Sequence, residues 1–236
     1  MTDWFGDWAD RYDAGLGEMG EAAAIEPVVD VLAELAGDGA ALELAIGTGR
    51  IALPLAARGV PVSGIELSAP MVEQLHAKPG GDAIPVTLGD MTTSRVDGTF
   101  RVAYLVYNTI NNLTTQDAQV ACFENASRHL EPGGCFVIEV GVPQLQRLPV
   151  GERFVPFHVG ENHVGIDEYD LVNQGLWSHH VSARGKAAMP FRYVWPSELD
   201  LMARIAGMTL ESRWQDWDRS PFTPESRKHV SVWRKP

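Results

Sequence analysis

From residue 41 to residue 140, short and almost unbroken apolar runs alternate with stretches whose apolar residues recur every three or four positions. The runs "AALELAI", "VPVSGIEL", "IPVTLGD", "FRVAYLVYN" and "CFVIEV" each read as a strand buried on both faces. Between them, "RIALPLAARG", "APMVEQLHAK" and "TTQDAQVACFENASRHL" carry helical spacing. Gly59 stops the first of these helices, and Ser68 is expected to cap the second, with Pro70 in its first turn. "EPGG" is expected to turn the chain into the fifth strand. Upstream, "EPVVDVLAELAG" predicts an amphipathic helix entered through Pro27 and closed by Gly37. Alternation of this kind implies a mainly parallel sheet covered by helices on both faces.

After Pro143 the period changes. "FVPFHV", "HVGIDEYDLV", "GLWSHHVSA" and "MPFRYVW" predict antiparallel strands that form an insert. "PSELDLMARIAG" restores a helix between Pro196 and Gly207, and "MTLESRWQDW" and "HVSVWRK" predict a closing pair of strands. At the other end, Trp4, Trp8 and Tyr12 fall at four-residue spacing with Phe5 alongside, the aromatic face of a short helix. The glycines at 15, 17 and 20 would give that helix a hinge. We read one domain over 1–236: an N-terminal helical lid (1–26), a core (27–142), a β-rich cap insert (143–195) and a C-terminal helix with two strands (196–236).

Composition narrows the function classes. A formal net charge of −12 without a Lys/Arg stripe argues against nucleic acid as partner. The start carries no signal-peptide pattern, and no apolar run approaches the roughly 20 residues of a membrane span, so a cytoplasmic protein with no membrane partner is expected. Cys122 and Cys135 sit in apolar segments without C-x-x-C spacing and read as small buried hydrophobes.

The candidate chemistry starts at "LELAIGTGRIALPLAARG", residues 42–59, where a strand ends in Gly-x-Gly and opens a helix. Bare backbone lets a ligand approach closely, and the helix start offers unpaired N–H groups. Residues 47–52 fit G-x-G-x-x-G/A, and Glu66 lies about 20 positions further on, so a nicotinamide dinucleotide is one candidate ligand. The wider context points elsewhere. Glu43, Ala45, Gly47 and Gly49 form E-x-A-x-G-x-G, which resembles the E-x-G-x-G-x-G signature of class I S-adenosylmethionine-dependent methyltransferases. "GIELSAPMVEQL", "LGDM", "HLEPGG" and the closing strand pair resemble further features of that family. The resemblance implies a Rossmann-like seven-stranded, mostly parallel sheet with an antiparallel last strand, S-adenosylmethionine as cofactor and S-adenosylhomocysteine as product.

It also implies roles for individual residues. Ala45, Ile46, Gly47, Thr48 and Gly49, with Glu43 before them, would cradle the methionine part. Glu66 would accept both ribose hydroxyls, flanked by Leu67 and Met71. Asp90 would bond the adenine amino group, with Met91 against the ring. Asn108 would stand beside the reactive methyl, and Tyr12 resembles a tyrosine near the start of several small-molecule methyltransferases. Ala45 replaces the family's first glycine.

"YNTINN" after the fourth strand lacks the prolines of the (D/N)-P-P-(Y/F) motif of methyltransferases that modify base amines. We therefore expect transfer to an O, N, S or C nucleophile of a small molecule, by a monomer or homodimer. The insert should line the acceptor pocket. Its His163, His179 and His180 are candidate bases; neighbouring residues on a strand face opposite ways, so at most one of the last two reaches the pocket, and no metal is expected. The alternatives are an NAD(P)-dependent oxidoreductase, for which no Tyr-x-x-x-Lys dyad is in place, and a non-catalytic binder of the same cofactor.

Overall fold

A computed structural model describes residues 6–183 and 185–236. Along the chain run α1 (Ala22–Ala36), β1 (Ala41–Leu44), α2 (Ala52–Ala57), β2 (Val62–Glu66), α3 (Ala69–His76), β3 (Val86–Leu88), β4 (Phe100–Leu105), α4 (Gln116–His129) and β5 (Leu130–Gly141). There follow β6 (Phe154–Val159), β7 (His163–Asp170), β8 (Gly175–Ser182), β9 (Gly185–Arg192), α5 (Pro196–Ile205), β10 (Thr209–Trp214) and β11 (Lys228–Arg234).

All four residues of β1 are buried, as a strand with helices on both faces requires. It pairs in parallel with β2 and β4, while β3 and β5 extend the sheet outward, also in parallel. β11 runs antiparallel to β5 and β10 antiparallel to β11, which gives a seven-stranded sheet ordered β10-β11-β5-β4-β1-β2-β3. The pleat sends alternate residues to two cores. Ala41, Val102 and Tyr104 pack with Leu32 of α1 and Leu55 of α2 on one face. Leu42, Leu44, Ala103 and Leu105 pack with Phe123 of α4 and Met202 of α5 on the other. In this second core the Phe123 ring meets Phe136 and Trp233 edge-on, at 5.0 and 5.3 Å between centroids. β6 to β9 form a separate four-stranded antiparallel sheet in sequential order, the insert after the fifth strand. Cys122 and Cys135 are free and buried.

Four local expectations are corrected. The described N-terminal residues form 3-10 turns over Gly6–Arg11, Asp13–Gly15 and Gly17–Gly20 instead of one helix; Trp4 and Phe5 of the expected aromatic face lie outside the described residues. The physical reason is length: the stretch between Gly6 and the glycine hinge at 15 is too short to offset the cost of helix nucleation. α1 begins five residues before Pro27, which sits inside it. Pro27 and Ala23, whose carbonyl loses a donor, are both exposed, so water can replace that bond. "EPGG" lies within β5, whose register against β4 shifts there, with Gly133 at φ 77°. Ser68 stands at the cap position of α3, yet its hydroxyl makes no cap bond; Glu66 takes the Ser68 amide instead.

Trp233 joins the two halves of the second core, and its Nε1 donates to Asp200 Oδ1 at 2.9 Å. Trp233→Ala should therefore destabilise the protein by about 3–5 kcal/mol in urea unfolding, the range for a fully buried Trp. A loss below about 1 kcal/mol would show that this ring does not hold the sheet's edge to α4 and α5.

Candidate active site

The carboxyl ends of β1, β2, β4 and β5 come together at one rim, and each presents its chemistry by a distinct local device. After β1 the backbone turns sharply: Ala45, Gly47 and Gly49 all have positive φ, at 55°, 57° and 79°. A Cβ on Gly47 would meet nothing within 4 Å, so the turn there is open to a ligand. A Cβ on Gly49 would meet Leu75 Cδ1 at 2.2 Å, so that glycine serves packing against α3. Ala45 holds a left-handed conformation with its Cβ in place, at a cost of about 1–2 kcal/mol relative to an ordinary one. The Ile46 amide bonds Ile65 O at 3.1 Å and keeps the turn seated.

Glu66, at the tip of β2, is buried. Its Oε2 accepts the Gly47 amide at 2.7 Å, and its Oε1 accepts the Leu67 and Ser68 amides at 2.9 Å each. Met71, one turn into α3, is buried beneath. Beyond β3, Asp90 Oδ1 accepts the Thr92 amide at 2.8 Å and the Thr92 hydroxyl at 2.7 Å. Burial raises the Asp90 carboxyl and the Thr92 bonds act against it; the group lies below its ordinary value. Met91 is buried, its carbonyl held by Asn125 Nδ2 at 2.9 Å.

Glu43 projects from β1 toward the first core. Burial pushes its carboxyl up to about 8, against the lowering effects of the Tyr104 hydroxyl, which donates to it at 2.9 Å, and of Arg50. At neutral pH this group is mostly protonated. Tyr12 faces the same space: burial raises its hydroxyl, Arg50 opposes, and Tyr107, Glu66 and Asp13 add to the rise. The Arg50 guanidinium lies 5.5 Å from the Tyr107 ring centre and donates to Met19 O at 3.2 Å.

Two successive residues after β4, Tyr107 and Asn108, have φ of 54° and 63°. The end of β5 holds them there. Glu139 accepts the Tyr107 amide through Oε2 at 3.1 Å and the Asn108 amide through its carbonyl at 3.1 Å, while Asn108 Oδ1 accepts the Gly141 amide at 2.6 Å. Asn108 thus ties two strand ends together at the rim.

Above this rim lies a cavity of about 1130 Å³, larger than the roughly 300–1,000 Å³ of an ordinary small-molecule site. Tyr12, Glu43, Ala45 to Thr48, Tyr107 and Asn108 line one wall. The inner face of the four-stranded sheet lines the other, through Asp167, Tyr169, Ser178 and His180 among others. Of the three candidate histidines, His180 lines the cavity, and His163 lies beside it, Nε2 to Nδ1 at 2.9 Å. His179 is corrected: it faces away, as strand alternation requires, with Nε2 3.0 Å from Glu168 Oε2. Glu66, Leu67, Met71, Gly49, Asp90 and Met91 continue the rim outside this cavity wall.

Several participants carried no pattern in the sequence. Asp13 accepts from Thr48 Oγ1 at 2.6 Å and pairs with Lys78 at 2.5 Å, which fastens the N-terminal turns to the glycine turn. Arg50, Tyr107, Glu139 and Asp167 likewise reach the site through the fold alone. For Arg50 its place inside the glycine turn was the one available signal.

A family model described as methyltransferase domain matches residues 41–134. CcbJ methyltransferase from Streptomyces caelestis superposes with a TM-score of 0.82 at 36% identity, covering 98% of this chain and 96% of that one. Cypemycin N-terminal methyltransferase from Streptomyces sp is 27% identical over 198 residues, 81% of each chain. S-adenosylmethionine-bound CalS10, an amino pentose methyltransferase from Micromonospora echinaspora, shares the fold with a TM-score of 0.70 at 21% identity, covering 100% and 99%. These likenesses set aside the nicotinamide reading of the glycine turn. A bare turn after β1, a carboxylate at the tip of β2 and near full-length similarity to CcbJ methyltransferase lead to one conclusion: the chain belongs to the class I S-adenosylmethionine-dependent methyltransferases, and it is an enzyme that uses that cofactor.

Proposed function

We propose that the enzyme methylates an amine nitrogen of a small molecule seated between the strand-end rim and the cap. The observation that carries this reading is the two-walled cavity between the methionine side of the rim and the cap, whose cap wall presents a carboxylate and an imidazole, Asp167 and His180. A carboxylate recognises an ammonium group, and a base is needed because an amine attacks only as its unprotonated form. The relatives named above support the acceptor class, since one acts at the N-terminus of cypemycin and another on an amino pentose.

The cofactor supplies a methyl group on a positively charged sulfur, activated toward attack before the protein acts. The residues fit such a ligand. The turn from Ala45 to Gly49 offers an open backbone to the methionine part, with Gly47 bare of any contact where a Cβ would stand. Glu66 takes the ribose hydroxyls with oxygens already oriented by three amides. Asp90, ionised and fixed by Thr92, takes the adenine amino group beside Met91. Glu43 and Arg50 face the amino and carboxylate ends of the methionine part. Asn108 and Tyr107 bound the gap across which the acceptor approaches. Asp13, held by Thr48 and Lys78, keeps the N-terminal turns over the methionine end, where they shed water from the transfer. Strand-end positioning of this kind supplies alignment, which is most of what a group transfer from an activated donor requires.

No helix among the described residues is long and apolar enough to cross a membrane. A small-molecule acceptor in the cell interior, and a monomer or homodimer as the working unit, complete the proposal.

Three outcomes follow. Methyl-labelled cofactor supplied with a panel of primary amines (an amino pentose, an amino hexose and a dipeptide) should label at least one, and exclusive labelling of hydroxyl or thiol analogues would refute the amine reading. Glu66→Ala should weaken cofactor binding by about 1–3 kcal/mol in calorimetry, through lost hydrogen bonds to a charged acceptor; unchanged affinity would remove Glu66 from the site. The third concerns pH. Glu43 is protonated below about 8 in the free enzyme, and pairing with the cofactor ammonium favours its ionised form. Binding should therefore release a proton, and affinity should rise as pH climbs from 6 to 7.5, below the cofactor's own amine near ~7.7–8.0. Glu43→Gln should abolish that rise, and parallel pH profiles for the two proteins would exclude Glu43 as the ammonium's partner.

A further inference from the structure

Two residues apart on β8, Ser178 and His180 share the inner face of the cap sheet. Opposite them on β7, Asp167 pairs with Ser178, and Gly165 pairs with His180. The Ser178 hydroxyl hydrogen bonds the Asp167 carboxyl and lies 3.3 Å from His180 Nε2. His180 Nδ1 lies 2.9 Å from His163 Nε2, with the two ring planes nearly parallel and their centres 5.2 Å apart, edge to edge. His163 stacks in turn on His158, at 5.0 Å, and His158 is exposed. Gly165 belongs to the same device. A Cβ there would come within 2.3 Å of the Phe157 ring, and that ring packs edge-on against His180 at 5.5 Å. Gly165 thus leaves room for the aromatic that fixes the imidazole. Asp167, Ser178 and His180 line the cavity, whereas His163 stands beyond its wall. An unbroken hydrogen-bonded line therefore leads from a carboxyl in the acceptor space to a histidine pair at the sheet's outer end.

We propose that Asp167 takes the proton an acceptor amine must lose, and that Ser178, His180 and His163 pass it along the cap to solvent. This rests on the amine reading above. An ammonium N–H gives its proton to an Asp167 carboxylate oxygen and keeps the electron pair on nitrogen. Asp167 then protonates Ser178 Oγ as the Ser178 hydrogen moves to His180 Nε2. The hydrogen on His180 Nδ1 moves to His163 Nε2, and His163 releases its Nδ1 hydrogen to water. One proton enters, one leaves, and no electron is gained or lost.

The surroundings favour such a transfer. Burial raises the Asp167 carboxyl, against the Ser178 bond and His179. Burial lowers His180, and His163 and His179 lower it further. The two groups are thereby drawn closer in proton affinity, which is what a relay needs. Other charged or titratable groups near the line include Tyr169 on the same face of β7 with Tyr193 against it, His158 from β6, Glu168 bonded to His179 on the far face, and Lys186 from β9. Arg11, Tyr12, Glu43, Arg50, Tyr107 and Arg227 also line the same cavity.

The decisive experiment titrates the histidine rings by NMR in the full-length enzyme, with the wild type beside Asp167→Asn and His180→Gln. Loss of the carboxylate should lower the His180 midpoint by roughly half a pH unit or more, and His180→Gln should move the His163 midpoint. Superimposable titration curves would overturn the relay whatever the acceptor. With an amine that the panel shows to be methylated, Asp167→Asn should reduce kcat/KM about 100-fold at pH 7. That deficit should shrink as pH approaches the amine's own pKa, while cofactor affinity stays unchanged. An unaltered pH profile would also overturn the proposal. Failure to methylate any amine in the panel would count against the amine reading alone, because the titrations still decide the relay.

Discussion

One carboxylate holds the site together. Glu66 gathers the amides of Gly47, Leu67 and Ser68 onto its two oxygens at 2.7–2.9 Å, and so joins the turn after β1 to the start of α3. Hydrogen bonds to an ionised acceptor are roughly twice as strong as neutral ones, and burial keeps water from competing for them. Through Gly47 the same group sets where the bare backbone of the glycine turn stands, and through Leu67 and Ser68 it fixes the backbone that leads into α3. The residue assigned to the ribose is therefore also the residue that shapes the turn assigned to the methionine part.

Around that anchor the backbone is held in conformations it would not adopt alone. Ala45, Tyr107 and Asn108 all lie in the left-handed region at strand ends, and strain of this kind persists only where neighbours over-determine it. Here the neighbour is β5, whose Glu139 fixes Tyr107 and Asn108. Lys228 of β11 bonds Glu139 at 3.3 Å and Asp216 at 2.8 Å. The antiparallel strand that closes the sheet thus contributes to the rim of the site, although it lies two strands from β1's neighbour β4.

The division of labour follows the two sheets. In the proposed function the seven-stranded sheet supplies cofactor groups from its strand ends, where open α/β sheets place ligands. There the antiparallel cap supplies acceptor groups from one face, which lines the cavity with polar, apolar and aromatic residues. Because the cap's strands alternate, each exposes half its residues to the cavity and half outward. That alternation separates His180, which lines the cavity, from its neighbour His179, which faces Glu168.

The sequence by itself determined the strand and helix order, the doubly covered sheet, the insert and the cofactor motifs, since all are written in local periods and in glycine and carboxylate spacing along consecutive strand ends. Ala45 was legible as a departure from the motif, but its positive φ was not. The tertiary structure alone decided that Pro27 lies inside α1, that Trp8 lies in a 3-10 turn, and that the Ser68 hydroxyl makes no cap bond while its amide goes to Glu66. It also decided which histidine lines the cavity and brought Asp167, Ser178, His180 and His163 into one line. Period two says that neighbours part ways, not which face meets the core. Strand register and packing settle that, and both depend on residues far apart in the chain.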